Sequence, residues 1–226
     1  MSRSFLDAVA HRRSYYALKN ESPITDDALR ELVGQAVKHV PSAFNSQSTR
    51  IVVLLGERHR KLCELTKDVL RAIVPADAFG QTETKINESF QSGYGTILYY
   101  EAQTPVRQLQ EKFPAYADNF PVWSEHTNAM HQFTIWTALE DAGFGASLQH
   151  YNPIIDEVVA KEFKIDADWK LCAQMPFGVP AGEPGEKTFE PLEERLLFLK
   201  YSKVSSPCGG CIKTLREYFD ALLRCV

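Results

Sequence analysis

Leu29, Leu32, Val33, Ala36, Val37 and Val40 recur three and four residues apart, the spacing of one helix face. Thr25 can cap that helix, Asp26 and Asp27 suit its first turn, and Pro41 ends it. The same periodicity predicts helices through Phe5–Leu6–Val9–Ala10, through Leu62–Leu65–Val69–Leu70–Ile73, and more briefly around Val106, Leu109 and Phe113. The longest helix is expected over 124–142. There Met130, Phe133, Trp136 and Leu139 share a face, and charge is nearly absent between His126 and Leu139. A helix with so little polar surface is buried in a domain or in a subunit interface. Gly143 and Gly145 close it, and Asn152-Pro153 reads as the cap and first residue of one more helix.

Strands read differently. Residues 51–55 are continuously apolar with β-branched members, 96–100 are β-rich, and Trp169, Leu171, Ala173, Met175 and Phe177 alternate with their neighbours. A last apolar run covers 196–199, and 116–123 reads as an aromatic loop. The strands are not separated by regular single helices, which points to an α+β layered fold rather than a doubly wound parallel sheet.

Composition narrows the function classes. The 226 residues are 44% hydrophobic and 24% charged, ordinary for a globular protein. A net charge of −4 gives no electrostatic reason to expect nucleic acid, and no apolar run is long enough to span a membrane. Five unevenly placed cysteines do not form a disulfide framework, and no secretory segment opens the chain, so a reducing, cytoplasmic setting is expected.

Two polar stretches carry candidate chemistry. Arg12-Arg13-Ser14 places two permanent cations and a hydroxyl at a helix end, and guanidinium forks match phosphate oxygens. The stretch 41–49 (PSAFNSQST) crowds neutral donors and acceptors between a helix and a strand, which suits an uncharged polar ligand. A solvated helix end and an ordinary loop would explain the same residues. No G-x-G-x-x-G follows a strand and no G-x-x-x-x-G-K-[ST] occurs, so a phosphate bound here would be held by arginines.

Arg12-Arg13-Ser14, then Pro41-Ser42-x-x-Asn45-x-Gln47, then 138–153 (ALEDAGFGASLQHYNP) resembles the nitroreductase family of FMN flavoproteins. The match is to the branch of yeast fatty-acid-repression and bacterial copper-induced nitroreductases, over about 5–200. The resemblance implies a mainly antiparallel central sheet flanked by helices, in an intertwined homodimer with FMN at the subunit interface. Arg12 would meet the flavin phosphate, with Arg13 and Ser14 on the phosphate or ribityl side. Ser42, Asn45 and Gln47 would reach the ribityl chain and ring edge, in part from the other subunit. Leu148, Gln149 and His150 would run along the ring, and Lys187 would also meet the phosphate. NADH or NADPH would reduce the flavin, and a nitroaromatic or quinone-like oxidant would then take its place. No protein nucleophile is needed. A flavin-binding regulatory or stress-response protein with little turnover is the alternative.

Two positions depart from the commoner pattern. Ser48 stands where many members have Pro, and His150-Tyr151 where the commoner branch has Glu-Gly. Cys63 and Cys172 lie in apolar patterns and read as inert. Residues 201–226, with the Cys208-Gly209-Gly210-Cys211 pair, stand outside the resemblance as an extension to a 1–200 domain.

Overall fold

The computed structural model describes residues 3–199, so the C-x-x-C pair and the tail lie outside the described residues. Two compact units divide after Glu186. The first holds seven helices among its described residues and one sheet in the order β1-β5-β3-β2, with β4 also on β5. Every named strand pair is antiparallel.

β3 (Gly95–Ala102) is the centre, buried along its whole length between β2 (Thr49–Leu55) and β5 (Trp169–Pro180). Its side chains alternate between two cores. Ile97 and Tyr99 pack with Leu29 and Val33 of α2 (Asp26–His39) and Ile135 and Leu139 of α6 (Asn119–Asp141). Leu98 and Tyr100 pack with Leu62 of α3 (Gly56–Arg71) and Val159 of α7 (Asp156–Phe163). Ile97, Leu98 and Tyr99 are fully buried, and each such side chain stabilises the fold by about 1.5–3 kcal/mol. α1 (Phe5–His11) leads into β1 (Leu18–Lys19), while α4 (Phe79–Ile86) and α5 (Gln103–Lys112) flank β3 in sequence.

Local signals act as the sequence predicts at several ends. The Thr25 hydroxyl accepts from the Ala28 N–H at 3.2 Å, capping α2. At the end of α6 the Gly143 and Phe144 N–H groups return to the Glu140 and Leu139 carbonyls, and Gly143 takes φ +93°. That left-handed step is cheap for glycine. The buried thiols agree too: burial pushes Cys63 up to about 12, and Cys172 is also raised, chiefly by burial.

Three expectations change. α6 begins at Asn119, so most of the stretch taken as aromatic loop is helical. Pro121 sits in the first turn, where a missing N–H costs nothing. The buried side of α6 runs through Phe120, Thr127, Asn128, His131, Ile135 and Leu139, whereas Met130 and Phe133 are about two-fifths exposed (39% and 41%). α7 starts at Asp156 rather than after Asn152, because the Asn152 side-chain oxygen accepts from Gln174 Nε2 at 3.2 Å and does not cap a helix. The 196–199 run forms no strand; Leu196, Leu197, Phe198 and Leu199 of the second unit are exposed.

Candidate functional site

Two groups of the expected residues come together, at separate places on the first unit. The first forms where the end of α1 meets β4 (Gly145–Ala146). Ser14 bridges Ala146, and the Tyr15 N–H donates to the Ala146 carbonyl at 3.0 Å. This pairing sets Arg12-Arg13-Ser14 beside the segment that continues to Leu148, Gln149 and His150. Ser147 and Gln149 donate their N–H groups to β5, at Pro176 and Gln174. The alternate N–H groups, those of Leu148 and His150, therefore point away from β5. His150 is exposed.

Arg12 is the C-cap of α1, and its guanidinium lies 4.2 Å from the Trp136 ring centroid. Its Nη1 is buried and has no partner among the described residues. Burial lowers its pKa, against the opposing pull of Glu140. Glu140 is itself buried, bonds His11, and lies 4.0 Å from Arg3. A half-buried guanidinium whose Nη1 is buried without a partner, set over an indole, is a costly group to leave unsatisfied. It is the donor that an anion would complete. Arg13 donates to the Gly185 carbonyl, bringing 182–185 alongside. Lys187 opens the second unit, with its ammonium 5.0 Å from the Phe189 ring centroid.

The second group surrounds a cavity of about 250 Å³ between the end of α2, the 42–47 loop, the start of β2 and α6. Ser42, Asn45, Gln47 and Thr49 line it with Lys38, Arg50 and His131. The loop is folded by its own polar atoms. Ser42 Oγ accepts from the Gln47 N–H at 3.0 Å, and Arg50 Nη1 donates to the Gln47 carbonyl at 2.7 Å. Phe44, Asn45 and Gln47 all take positive φ, at +54°, +52° and +47°. Asn tolerates this conformation, whereas Phe and Gln each pay about 1 kcal/mol or more. Phe44 is fixed by an aromatic cluster, 4.9 Å from Phe113, 5.3 Å from Phe120 and 6.1 Å from Trp123. Backbone strain is thus concentrated in three of four residues, and the loop's own polar bonds and the Phe44 cluster hold it.

Sequence reasoning missed the layer behind this cavity. Thr49 Oγ1 donates to Glu101 Oε1, which also accepts from Asn128 Nδ2 at 2.9 Å. Asn128 donates as well to the Tyr100 carbonyl at 3.2 Å and accepts from Gln132 at 2.6 Å. Glu101 is fully buried and its Oε2 has no partner among the described residues. The available signal was Asn128, His131 and Gln132 inside an otherwise apolar helix. None of four cavities on the first unit, the 250 Å³ one included, is lined by both groups. No cluster of three or more metal-ligating side chains occurs among the described residues, and no helix there is long and apolar enough to cross a membrane.

The chain and its fold have known counterparts. The Nitroreductase family profile matches residues 9–179. HBN1 of Saccharomyces cerevisiae is 37% identical over 188 residues, covering 82% of this chain and 93% of HBN1. The nitroreductase CinD of Lactococcus lactis, solved with nicotinic acid, is 41% identical with a TM-score of 0.81, covering 87% of this chain and 100% of CinD. Its complex with 4-nitrophenol superposes over the same shares at 41% identity and a TM-score of 0.79. A Desulfovibrio desulfuricans protein solved with FMN shares the fold at 20% identity and a TM-score of 0.64, over 89% of this chain and 100% of that one.

Proposed function

The chain belongs to the nitroreductase family, and on that premise we propose that it is an FMN-dependent oxidoreductase. It takes electrons from NADH or NADPH and passes them to nitroaromatic or quinone-like acceptors. The observation that carries this reading is the buried, unpartnered Nη1 of Arg12, set beside the outward N–H groups of Leu148 and His150. A phosphate would complete the guanidinium, and a flavin ring edge would take N–H donors.

Each residue group then has a task. Arg12 and Arg13 hold the phosphate, and Trp136 fixes the Arg12 plane by stacking. Ser14 and Gln149 set the segment along which the ring lies. Ser42, Asn45 and Gln47 supply neutral polar contacts to the ribityl chain and ring edge. Bound flavin would supply the hydride chemistry, which explains why no nucleophile–base pair is needed.

The cavity of the 42–47 loop is lined by none of residues 12–14 or 148–150, and this supports a homodimer in which each site takes the 12–14 and 148–150 groups from one subunit and the 42–47 loop from the other. Met130 and Phe133 of α6 and Val37 of α2 are exposed apolar side chains that suit such a contact. The ligands seen in CinD, nicotinic acid and 4-nitrophenol, fit the same pair of roles, reductant ring and aromatic oxidant.

The purified protein should be yellow, elute as a dimer, and oxidise NADH or NADPH when 4-nitrophenol or a quinone is added. A protein that takes up no FMN would overturn the reading. One that binds FMN but passes electrons to no acceptor would instead be the regulatory flavoprotein.

A further inference from the structure

The cavity behind the 42–47 loop has a polarity that its protons determine. His131 is buried on α6, and its Nδ1 lies 2.9 Å from the Thr127 carbonyl. A carbonyl only accepts, so Nδ1 carries the hydrogen. In the neutral ring Nε2 is then an acceptor. It has no protein partner among the described residues, and the ring lines the cavity. Thr49 is constrained in the same sense. Its hydroxyl proton goes to Glu101 Oε1, an oxygen already accepting from Asn128, so Thr49 Oγ1, on a residue that lines the cavity, has only lone pairs left to offer. Asn128 fixes that carboxylate oxygen from α6, with its N–H groups committed to Glu101 and to the Tyr100 carbonyl.

We propose that His131 Nε2 and Thr49 Oγ1 form an acceptor wall that binds a ligand through its hydroxyl protons, with Glu101 as the positioning residue that turns Thr49. A polyol chain is the matching chemistry. A carbonyl or carboxylate oxygen pointed at this wall would face lone pairs. The cations Lys38 and Arg50 also line the cavity, so a ligand there can present hydroxyls to the wall and carbonyl oxygens to the cations. This inference rests on the flavin reading and refines it, assigning ribityl hydroxyl recognition to residues of β2 and α6 behind the loop.

The test uses the full-length apoprotein titrated with FMN, riboflavin and lumiflavin, the last being a flavin ring without the polyol chain. Thr49→Val and His131→Phe keep shape and remove one acceptor each; Thr49→Ser restores the hydroxyl. Each of the two acceptor-deleting variants should weaken FMN and riboflavin by about tenfold and leave lumiflavin unchanged, while Thr49→Ser binds as wild type. Riboflavin binding within about threefold of wild type in both variants would overturn the wall. Equal weakening of lumiflavin would also overturn it, since loss of fold or of ring contacts moves all three ligands together. If His131→Phe melts early, His131→Leu replaces it under the same criteria. A wild-type protein that binds none of the three flavins overturns the flavin reading as well, whereas wild-type binding with insensitive variants overturns the wall alone.

Discussion

Replacing Arg12 with Met should move two quantities in different ways. In the apoprotein the guanidinium stacks on Trp136, worth about 1 kcal/mol. Against that stands the buried Nη1 with no partner, a penalty of about 1–3 kcal/mol. The flexible Met side chain can fill the space over the indole. The substitution should therefore leave the melting temperature of the flavin-free protein unchanged or slightly higher. Binding is another matter. A charge-assisted guanidinium–phosphate contact is worth about 1.5–3 kcal/mol, so the FMN dissociation constant should rise by about 10- to 150-fold. Riboflavin lacks the phosphate and should bind the variant and the wild type alike. Flavin fluorescence titration of both ligands, with thermal melts of the apoproteins, gives the three numbers together. FMN affinity within about threefold of wild type would take Arg12 away from the phosphate. An apoprotein destabilised by more than about 2 kcal/mol would show that the idle Nη1 has a partner the structure does not contain.

Other consequences can be read from the packing. Asn128→Leu deletes two donated bonds and one accepted bond and leaves Glu101 with Thr49 alone; a loss of about 3 kcal/mol, or a fall of about 6–12 °C in melting temperature, is expected. A change below about 2 °C would mean the network contributes no stability. Cys63 and Cys172 should resist iodoacetamide in the folded protein near neutral pH, because burial pushes both thiols up; peptide mapping that finds Cys63 alkylated before unfolding would contradict its burial. Burial, partly countered by Lys170, also raises the Asp156 carboxyl above its usual value, so the folded state keeps that proton to higher pH than the unfolded chain. Asp156 therefore costs stability progressively as pH rises from about 4 through its folded pKa. Urea midpoints across that range should fall more steeply in wild type than in Asp156→Asn, and the reverse order would reject the assignment.

Where residues announced their own environment, sequence and structure agree. β3 was legible because 96–100 is β-rich and uncharged, and α2 because its cap, periodicity and terminating proline agree. Arg12-Arg13-Ser14 and Ser42-x-x-Asn45-x-Gln47 stood out as polar groups with little core value, and each gathers locally. Whether they serve one ligand depends on a second subunit, which no local pattern encodes. Asn152 misled because its oxygen is claimed by Gln174, twenty-two positions away, and cap signals assume the side chain is free. Glu101 and His131 were passed over for a related reason. Glu101 directly follows the β-rich run of 96–100 and His131 sits in an apolar helix, so neither looks chemical until Thr49 and the cavity are placed beside them. Met130 and Phe133 were expected to share a buried face and stand partly exposed, since the sheet takes the side of α6 that carries Asn128, Ile135 and Leu139.

One helix touches both polar groups. Trp136 and Glu140 of α6 lie under the Arg12 region, while Asn128 and His131 of the same helix stand behind Thr49. From His131 to Trp136 is about 7.5 Å of helix rise, a distance that no loop adjustment can alter. One residue inserted between them would swing everything beyond it by about 100° and dismantle one group while sparing the other. In the proposed dimer the two groups of one chain serve different flavins, so α6 ties the two sites to each other at a spacing that only a change in the helix itself could alter, like two holes drilled in the same beam.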